Sequence, residues 1–224
     1  MIKAVIFDMY ETLVTLFNSK PFTSYEISKF IGCEASEYKK FWDPTEDDRT
    51  LGKITSQQGI EIALRGVGLY SKELADEVFK RRKAARAEIF NHIDERVFPM
   101  LEELKTRGLK VALISNCFNE EAEHIRGSKF MQYFDEVFLS YELGIKKPDL
   151  RIFKLCVEKL GVAPEECLYV GDGGSSELET AREFGMKALQ ACWYLKENTY
   201  QPCGRKPEFP HAEAPCDIME YLHQ

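Results

Sequence analysis

Beyond residue 90, the chain alternates apolar positions at helical spacing with short runs of consecutive aliphatic residues. Three of the helical patterns stop at Gly108, Gly161 and Gly185, and each is followed by a short aliphatic run: "LKVALIS", "CLYVGD" and "MKALQAC". A glycine just past a helix terminates it readily because glycine adopts left-handed backbone angles without strain. The runs "DEVFLS" and "KAVIF" have the same aliphatic character. Strands that are apolar on both faces and alternate with helices indicate a parallel sheet covered on both sides.

Residues 15–90 lack such strand-like runs. They carry helical patterns instead: "SYEISKFIG", "SQQGIEIALRG" and "SKELADEVFKRRKAARAEIF". Thr23 with Glu26, and Thr55 with Gln58, have the spacing of capping boxes. The basic run at 81–87 is interpreted as a solvated helix face. We predict an α/β fold with a Rossmann-like parallel sheet, helices on both faces, and a small all-helical domain. The sheet domain would comprise residues 1–14 and 91–224, and the helical domain residues 15–90.

The tail from about residue 194 holds four of the nine prolines. We predict an irregular segment there that wraps the core and ends in a short helix, "DIMEYLH". Proline fixes one backbone angle and removes a hydrogen-bond donor, so it disfavours regular structure.

Composition narrows the possible partners. The net charge is −7, with 44% hydrophobic and 30% charged residues, which is typical of a globular domain. An acidic chain disfavours nucleic acid and anionic membranes as main partners, and the sequence contains no run of about 20 apolar residues.

Asp8 interrupts the first apolar run too early for a signal peptide. Seven cysteines without a CxxC pair predict reduced thiols in the cytoplasm, with Cys117 as a packing residue. The oligomeric state is left open.

Polar residues stand where the predicted strands end. In open parallel sheets, ligands bind beyond the carboxyl ends of the strands. The first strand ends on Asp8, the second on Ser115 and Asn116, and the strand "LYVG" ends on Asp172. Lys147 precedes Pro148 at a predicted helix start. A hydroxyl, a lysine and two carboxylates are therefore expected at one edge of the sheet.

This set resembles the haloacid dehalogenase superfamily of hydrolases. Four motifs of that family occur in order: D-x-x-x-T at Asp8 to Thr12, a strand-end serine at Ser115, Lys147–Pro148, and G-D-x-x-x-x-D/E at Gly171, Asp172 and Glu177. One such motif is weak, whereas four in order on matching elements are specific. The resemblance covers residues 1 to about 192. It places the helical insert where the family has its cap domain.

The resemblance implies roles for these residues. In the phosphatase branch of the family, the first aspartate, here Asp8, attacks phosphorus and forms an aspartyl-phosphate that water later hydrolyses. Ser115 and Lys147 would hold the transferring oxygens, and Thr12 would orient them. The substrate would be a small phosphorylated metabolite, with Tyr10 and Asn116 also in its binding site.

A divalent cation is implied as well. Carboxylates and a phosphate dianion repel each other in a partly dry site, and a hard cation such as Mg²⁺ offsets this repulsion through oxygen ligands. By resemblance, its ligands would be the Asp8 carboxylate, the backbone carbonyl of Tyr10 and Asp172, with Glu177 supporting them. An alternative role for Glu177 is structural, because Ser176 and Glu179 have the spacing of a capping box and an acid suits the first helical turn.

Tyr10 departs from the phosphatase pattern. Phosphatases of the family usually carry an aspartate at this position as general acid and base, and such catalysis contributes about 10²–10⁴-fold. A phenol with a reference pKa of about 10 is a poor base near neutrality. Acyl phosphates and phenolic esters, whose leaving groups need no protonation, would suit the site best. Glu11 is a further candidate for the acid.

Tyr10 also opens two alternatives. The 2-haloacid dehalogenases of the family carry tyrosine there and need no metal. They lack the Gly-Asp pair seen here at Gly171–Asp172, and they have a tyrosine where this chain has Phe153. These differences favour the phosphohydrolase, with the dehalogenase as the alternative. A non-catalytic relative that binds a phosphorylated ligand or a protein is the second alternative.

The helical insert offers candidate specificity residues. Arg49 and Lys53, which flank Gly52, are predicted to reach toward the substrate as cations. His92 and His124 are interpreted as surface or packing residues.

Overall fold

A computed structural model describes residues 1–195 and 203–222. Its strands form one parallel six-stranded sheet in the order β3-β2-β1-β4-β5-β6. Their bounds are β1 Ala4–Phe7, β2 Lys110–Ser115, β3 Glu136–Leu139, β4 Cys167–Gly171, β5 Lys187–Ala191 and β6 His211–Ala212. The first strand is therefore central, with β2 and β4 as its neighbours.

Helices connect the strands and form the insert. The helices before β2 are α1 Ser24–Ile31, α2 Ala35–Trp42, α3 Glu46–Thr50, α4 Ser56–Gly66, α5 Lys72–Glu88 and α6 Val97–Thr106. The later helices are α7 Asn119–Arg126, α8 Ser140–Leu143, α9 Leu150–Leu160 and α10 Glu177–Glu183. Among the described residues, no helix combines the length and apolarity that a membrane span requires.

The alternation of side chains along β1 explains why the sheet is covered on both faces. Val5 and Phe7 belong to one apolar cluster, which includes residues of α6 and α7. Ala4 and Ile6 belong to a second cluster, which includes residues of α9 and α10. All four side chains are fully buried because successive residues of a strand point to opposite faces. The predicted α/β fold with helices on both faces is confirmed.

The insert has an apolar cluster of its own. Its buried members come from α1, α2, α4 and α5: Ile27, Tyr38, Trp42, Ile60, Ala63, Leu64, Ala75 and Val78. Thr23 with Glu26 and Thr55 with Gln58 form the predicted capping boxes. The division into a core of 1–14 and 91–224 and a helical cap of 15–90 stays a prediction.

The basic run on α5 is solvated only in part, at Arg81 and Lys83, whereas Arg82 and Arg86 are largely buried. The Arg82 side chain is 3% exposed, and its Nε lies 2.7 Å from Oε1 of the buried Glu120 on α7. Arg86 pairs with Glu121 at 3.0 Å. A long charged helix therefore packs on the sheet domain through ion pairs, which hydrophobic periodicity does not reveal.

The tail differs from the prediction in one respect. Part of it, β6, adds a sixth strand of two residues to the sheet. The predicted short terminal helix is present as a 3₁₀ helix, Pro215–Tyr221. The predicted helix ended at His223, which lies outside the described residues, as does Pro202.

Candidate active site

Three carboxylates converge at the carboxyl edge of the sheet. Asp8 directly follows β1, Asp172 directly follows β4, and Glu177 begins α10. Parallel pairing joins β1 to β4, and the Asp8 amide donates to the Val170 carbonyl at 2.9 Å. One carboxylate oxygen of each acid lies within 4.8 Å of one from each of the others. The predicted convergence of Asp8 with Asp172 is present, and Glu177 joins them.

Lys147 is the cation of this cluster. Its ammonium lies 2.6 Å from Asp8 Oδ1, and it also contacts the Glu177 carboxylate. The Tyr169 hydroxyl is 3.2 Å from the same nitrogen. The Lys147 side chain is only 1% exposed, so these groups replace water around the charge.

Asn116 positions Lys147 through the backbone. The Asn116 side-chain amide donates to the Lys147 carbonyl at 3.0 Å, and its oxygen accepts from the Lys147 amide at 2.8 Å. This double hydrogen bond fixes the loop before α9. The helix itself begins after Asp149, whose side chain accepts from the Arg151 amide and caps it. Asn116, predicted as a substrate-binding residue, lines the cavity described below and also orients the lysine.

The loop after β4 holds its two acids by backbone contacts. Asp172 Oδ1 accepts from the Gly174 amide at 2.9 Å, and the Asp172 carbonyl accepts from Gln190 at 2.8 Å. Glu177 Oε1 accepts from the Gly173 amide at 3.2 Å. A Cβ at Gly171 would lie 2.2 Å from Glu177 Oε1, which explains why glycine stands there.

The expected Ser176–Glu179 capping box does not form. Ser176 has a φ of 50° and its side chain makes no cap hydrogen bond. Glu179 pairs instead with Lys206. The structural alternative for Glu177 therefore keeps only its place in the first turn of α10, and its carboxylate faces Lys147 and Tyr169.

Burial and mutual repulsion set the protonation of the cluster. Burial, reinforced by the Glu177 charge, raises the pKa of Asp8 to about 7, although Lys147 opposes the shift. Burial and the Glu177 and Asp8 charges raise the pKa of Asp172 to about 8. Burial alone would lower the pKa of Lys147, but the Asp8 and Glu177 charges outweigh it and raise that pKa. Without a further cation, the site therefore retains protons at neutral pH.

The donor set fits a hard divalent cation. Asp8, Asp172 and Glu177 offer only oxygen ligands, which Mg²⁺ prefers to nitrogen or sulfur. One lysine faces three acids, so the cluster carries excess negative charge when the acids are ionised. A divalent cation would offset that charge.

Two further motif residues, Thr12 and Ser115, are fully buried. The Thr12 hydroxyl has no hydrogen-bond partner within the described part of the chain, while its carbonyl accepts from Trp193 at 2.8 Å. Ser115 is also fully buried, and its hydroxyl makes only a long 3.5 Å contact with the Asn116 carbonyl. Glu11 accepts from the Thr15 hydroxyl at 2.7 Å and from the Leu16 amide at 2.8 Å. Those bonds close the loop after β1 and occupy the carboxylate that was a candidate acid.

A cavity of about 560 Å³ lies over this edge between the insert and the core. Tyr10 and Lys147 both line it, together with residues of α3, α5 and α7. Burial and the Glu121 charge raise the pKa of Tyr10 well above its ordinary value, so the phenol stays neutral. Lys146 also lines the cavity and pairs with Asp47 of α3.

The two predicted cap cations lie elsewhere. Lys53 is exposed and pairs with Asp48 at 2.9 Å. Arg49 is 2% exposed, with its guanidinium 3.6 Å from the Trp42 ring centre and 4.4 Å from that of Phe118. Of the residues that the structure describes, the cavity lining includes neither of these cations.

Sequence reasoning missed three residues of the site. Tyr169 looked like an ordinary core residue of β4, yet its hydroxyl contacts Lys147 and Glu177. Arg86 was part of the basic run, and Glu121 was part of a polar helix. The spacing of Arg82 and Arg86 by four residues, opposite the acidic start of α7, was the only available sign of the pairing.

Comparison with known proteins agrees with this geometry. A family model described as haloacid dehalogenase-like hydrolase matches residues 2–185. The chain therefore belongs to this family of hydrolases. Phosphatases are prominent among its relatives, which supports a phosphatase-like enzyme and disfavours the non-catalytic alternative.

Two curated relatives illustrate this. A glyceraldehyde 3-phosphate phosphatase of Methanopyrus kandleri is 28% identical over 212 residues, which cover 90% of this chain and 87% of the relative. A phosphoserine phosphatase of Thermus thermophilus is 32% identical over 143 residues, which cover 63% of this chain. That match spans about half, 51%, of the Thermus enzyme.

Solved structures share the fold at lower identity. A haloacid dehalogenase family enzyme from Bacteroides thetaiotaomicron, an aspartate-to-alanine mutant in complex with magnesium and inorganic phosphate, has a TM-score of 0.67 at 23% identity, covering 85% of this chain and 94% of that one. A 2-haloacid dehalogenase from Pseudomonas syringae has a TM-score of 0.72 at 22% identity, covering 100% and 99%. An enzyme in complex with magnesium and phosphate and a 2-haloacid dehalogenase thus share this fold, and the fold alone does not choose between the two kinds of chemistry.

Proposed function

We propose that the protein is a Mg²⁺-dependent phosphohydrolase that acts on a small phosphorylated metabolite through an aspartyl-phosphate. The observation that carries the proposal is the cluster of Asp8, Asp172 and Glu177 around the Lys147 ammonium. A nucleophile that attacks carbon does not need two further acids beside it. Phosphoryl transfer with a divalent cation does need them, because carboxylates hold the ion. The phosphatase relatives and the magnesium and phosphate in the Bacteroides structure support the same chemistry.

The reaction would run in two steps on Asp8. An Asp8 carboxylate oxygen forms a bond to phosphorus as the bond to the leaving oxygen breaks, and the leaving group departs with that electron pair. Water then attacks the acyl phosphate and regenerates the carboxylate with release of inorganic phosphate. The Lys147 ammonium would compensate the charge on the transferring oxygens.

The Mg²⁺ ion would be held by the Asp8 and Asp172 carboxylates and the Tyr10 carbonyl, with Glu177 behind them. When bound, the ion supplies Lewis-acid stabilisation of charge on the phosphoryl oxygens. Lys147 and the buried Thr12 hydroxyl would orient the phosphate. Ser115 would need to turn its hydroxyl away from its present long contact to join them.

The neutral Tyr10 phenol limits the choice of leaving group. Its raised pKa makes it unsuited to take a proton from water, and Glu11 is occupied in the loop. Acyl phosphates and phenolic esters release stable anions without protonation. We infer that these classes turn over fastest.

A 2-haloacid dehalogenase is the alternative function, and Tyr10 is the observation that favours it. The position of the family's tyrosine after Lys-Pro holds Phe153, which is fully buried against Tyr169 with ring centres 5.4 Å apart. Halide release from 2-haloacids that persists in a chelator would support this alternative.

The test is hydrolysis of p-nitrophenyl phosphate with and without Mg²⁺. The wild type is expected to need the ion, and Asp8→Asn is expected to lose turnover because the amide cannot attack. Asp43→Asn is the matched control, since it makes the same chemical change at an exposed position outside the cluster. Turnover by Asp8→Asn equal to that of the wild type would refute the proposal.

We also propose a cellular location and a class of partner for the protein. All seven cysteines are free, which agrees with a reducing compartment, and we propose a cytoplasmic location. A small molecule is the proposed partner, and neither nucleic acid nor a membrane surface is expected for a chain of net charge −7.

A further inference from the structure

Arg86 of α5 lines the same cavity as Lys147. The Arg86 side chain is 15% exposed, so most of it is buried although the residue lines the cavity. Its recorded acidic partner is Glu121, whose Oε1 lies 3.0 Å from Arg86 Nε. The proposed reaction gives Arg86 no role.

Arg86 is not the only arginine that Glu121 contacts. The same oxygen, Glu121 Oε1, lies 4.0 Å from a terminal nitrogen of Arg82. Arg82 also pairs with Glu120 at 2.7 Å. Two guanidinium groups therefore share these two buried carboxylates.

A third guanidinium adds to the positive charge. Arg49 lies against the Phe118 ring, as Arg82 does at 5.4 Å, and among the described residues no carboxylate is within 4.0 Å of it. Its buried NH1 nitrogen has no hydrogen-bond partner there. The charge of Glu46 also acts on Arg49, but Glu46 is exposed at the cavity wall.

The cluster thus has three buried guanidiniums and two buried carboxylates beside an open cavity. Uncompensated buried charge is costly, so such a cluster favours an anion at the surface it presents. Of this cluster, Arg86 and its partner Glu121 line the cavity, and Arg86 is the cation among them, since Arg82 is 3% exposed and Arg49 2%. A guanidinium presents paired donors that match a carboxylate.

We propose that Arg86 binds a second anionic group of the substrate, a carboxylate, so that the enzyme selects phosphate esters or anhydrides that also carry a carboxylate. The inference rests on the proposed function, because it assumes that the phosphate itself lies at Asp8 and Lys147. The cavity of about 560 Å³ is in the size range of small-molecule sites and is lined by both Lys147 and Arg86. Arg86 would therefore determine specificity and take no part in the bond changes.

The test compares two aryl phosphates that differ only in charge. The probes are 3-carboxyphenyl phosphate and 3-carbamoylphenyl phosphate, which have nearly the same shape and a phenolic leaving group. The wild type is expected to prefer the carboxylate by at least about 30-fold in kcat/KM, mainly through KM. Arg86→Gln is expected to abolish the preference while its rate on the neutral amide changes less than about threefold.

Two further variants separate recognition from folding. Arg86→Lys keeps the charge without the paired donors, and an intermediate preference is expected. Arg81→Ala is the matched control, because Arg81 is exposed on the same helix and pairs with Glu77, and the full preference should remain. Equal loss on both probes in Arg86→Gln, or a wild type without preference, would overturn the inference.

A binding measurement distinguishes this inference from the proposed function. The non-hydrolysable 3-phosphonobenzoate and 3-phosphonobenzamide are titrated by calorimetry into the wild type and Arg86→Gln. Tighter binding of the benzoate in the wild type alone supports the Arg86 site even if no ester is hydrolysed. Hydrolysis of p-nitrophenyl phosphate together with equal binding of the two phosphonates overturns the inference and leaves the proposed function standing.

Discussion

The Lys147 ammonium lies 2.6 Å from Asp8 Oδ1, although 139 positions separate the two residues along the chain. The pairing follows from the topology, because the loop carrying Lys147 and the end of β1 meet at the carboxyl edge of the sheet. Lys147 also contacts Glu177, so one buried cation holds acids from two different elements.

Replacing Lys147 by methionine is expected to reduce kcat/KM for p-nitrophenyl phosphate by about 10²–10³-fold. The change keeps the length of the side chain but removes the charge that compensates both the acids and the phosphoryl oxygens. Steady-state kinetics with saturating Mg²⁺ measure the effect. Lys154→Met, at an exposed position on α9, should leave the rate unchanged. A Lys147→Met enzyme with wild-type kinetics would show that the ammonium has no part in catalysis.

Stability and Mg²⁺ binding should depend on pH together. The pKa values of Asp8, about 7, and Asp172, about 8, lie above the ordinary 3.8, so the ion-free folded state binds more protons than the unfolded state between these limits. Unfolding free energy then falls as pH rises from about 4 toward 8, because the folded protein must give up protons in a buried acidic site. Bound Mg²⁺ would offset the repulsion between the ionised Asp8 and Asp172.

The melting temperature of the ion-free protein is therefore expected to fall between about pH 5.5 and about pH 8.5, and Mg²⁺ should raise it more at the higher pH. Differential scanning fluorimetry measures both. Asp172→Asn should flatten the pH dependence and weaken the Mg²⁺ effect. A larger Mg²⁺ stabilisation at the lower pH would contradict the assignment of the cation to these acids.

The acids and the lysine could be predicted from the sequence because each stands at a strand end or at a motif. Strand ends are visible as the last residue of an aliphatic run, and parallel topology brings them to one edge. Tyr169 was not predictable in this way. It lies inside an aliphatic run, where a tyrosine is indistinguishable from a core residue until its hydroxyl partners are known.

Arg86 and the tail could not be predicted for different reasons. Hydrophobic periodicity assumes that the buried face of a helix is apolar, and the face of α5 that meets α7 carries arginines paired with glutamates. The two-residue strand β6 is too short to produce a pattern. Its place in the sheet depends on the long-range bonds of β5, such as the Gln190 amide to the Pro210 carbonyl at 2.9 Å.

Replacing Tyr10 by aspartate should restore proton transfer to the leaving group. Because the Tyr10 phenol is neutral and weakly acidic, alkyl phosphates are expected to be poor substrates of the wild type. Tyr10→Asp is expected to raise kcat/KM for glycerol phosphate by about 10²-fold and to change p-nitrophenyl phosphate hydrolysis much less, since that leaving group needs no proton. Tyr10→Asn introduces a side chain of the same size as aspartate but without a carboxyl proton to donate, so it should not show the gain. Equal gains on both substrates would rule out general acid catalysis as the cause.

The buried Arg82–Glu120 pair is expected to hold α5 against α7. Arg82→Met leaves Glu120 buried without its partner, and a loss of about 3–5 kcal/mol in the free energy of unfolding is expected. The double variant Arg82→Met/Glu120→Met should recover much of that loss, because two apolar side chains replace two charges and the Trp42 and Phe118 rings lie nearby. Urea unfolding monitored by circular dichroism measures the free energies.

The exposed pair Lys83–Glu123 joins the same two helices and supplies the control. Lys83→Met should have little effect, because water solvates Glu123 when its partner is gone. A double variant at Arg82 and Glu120 as unstable as Arg82→Met alone would mean that the loss comes from the arginine's own packing and not from an unpaired buried carboxylate. The comparison therefore separates the charge pair from the hydrocarbon contacts of the arginine side chain.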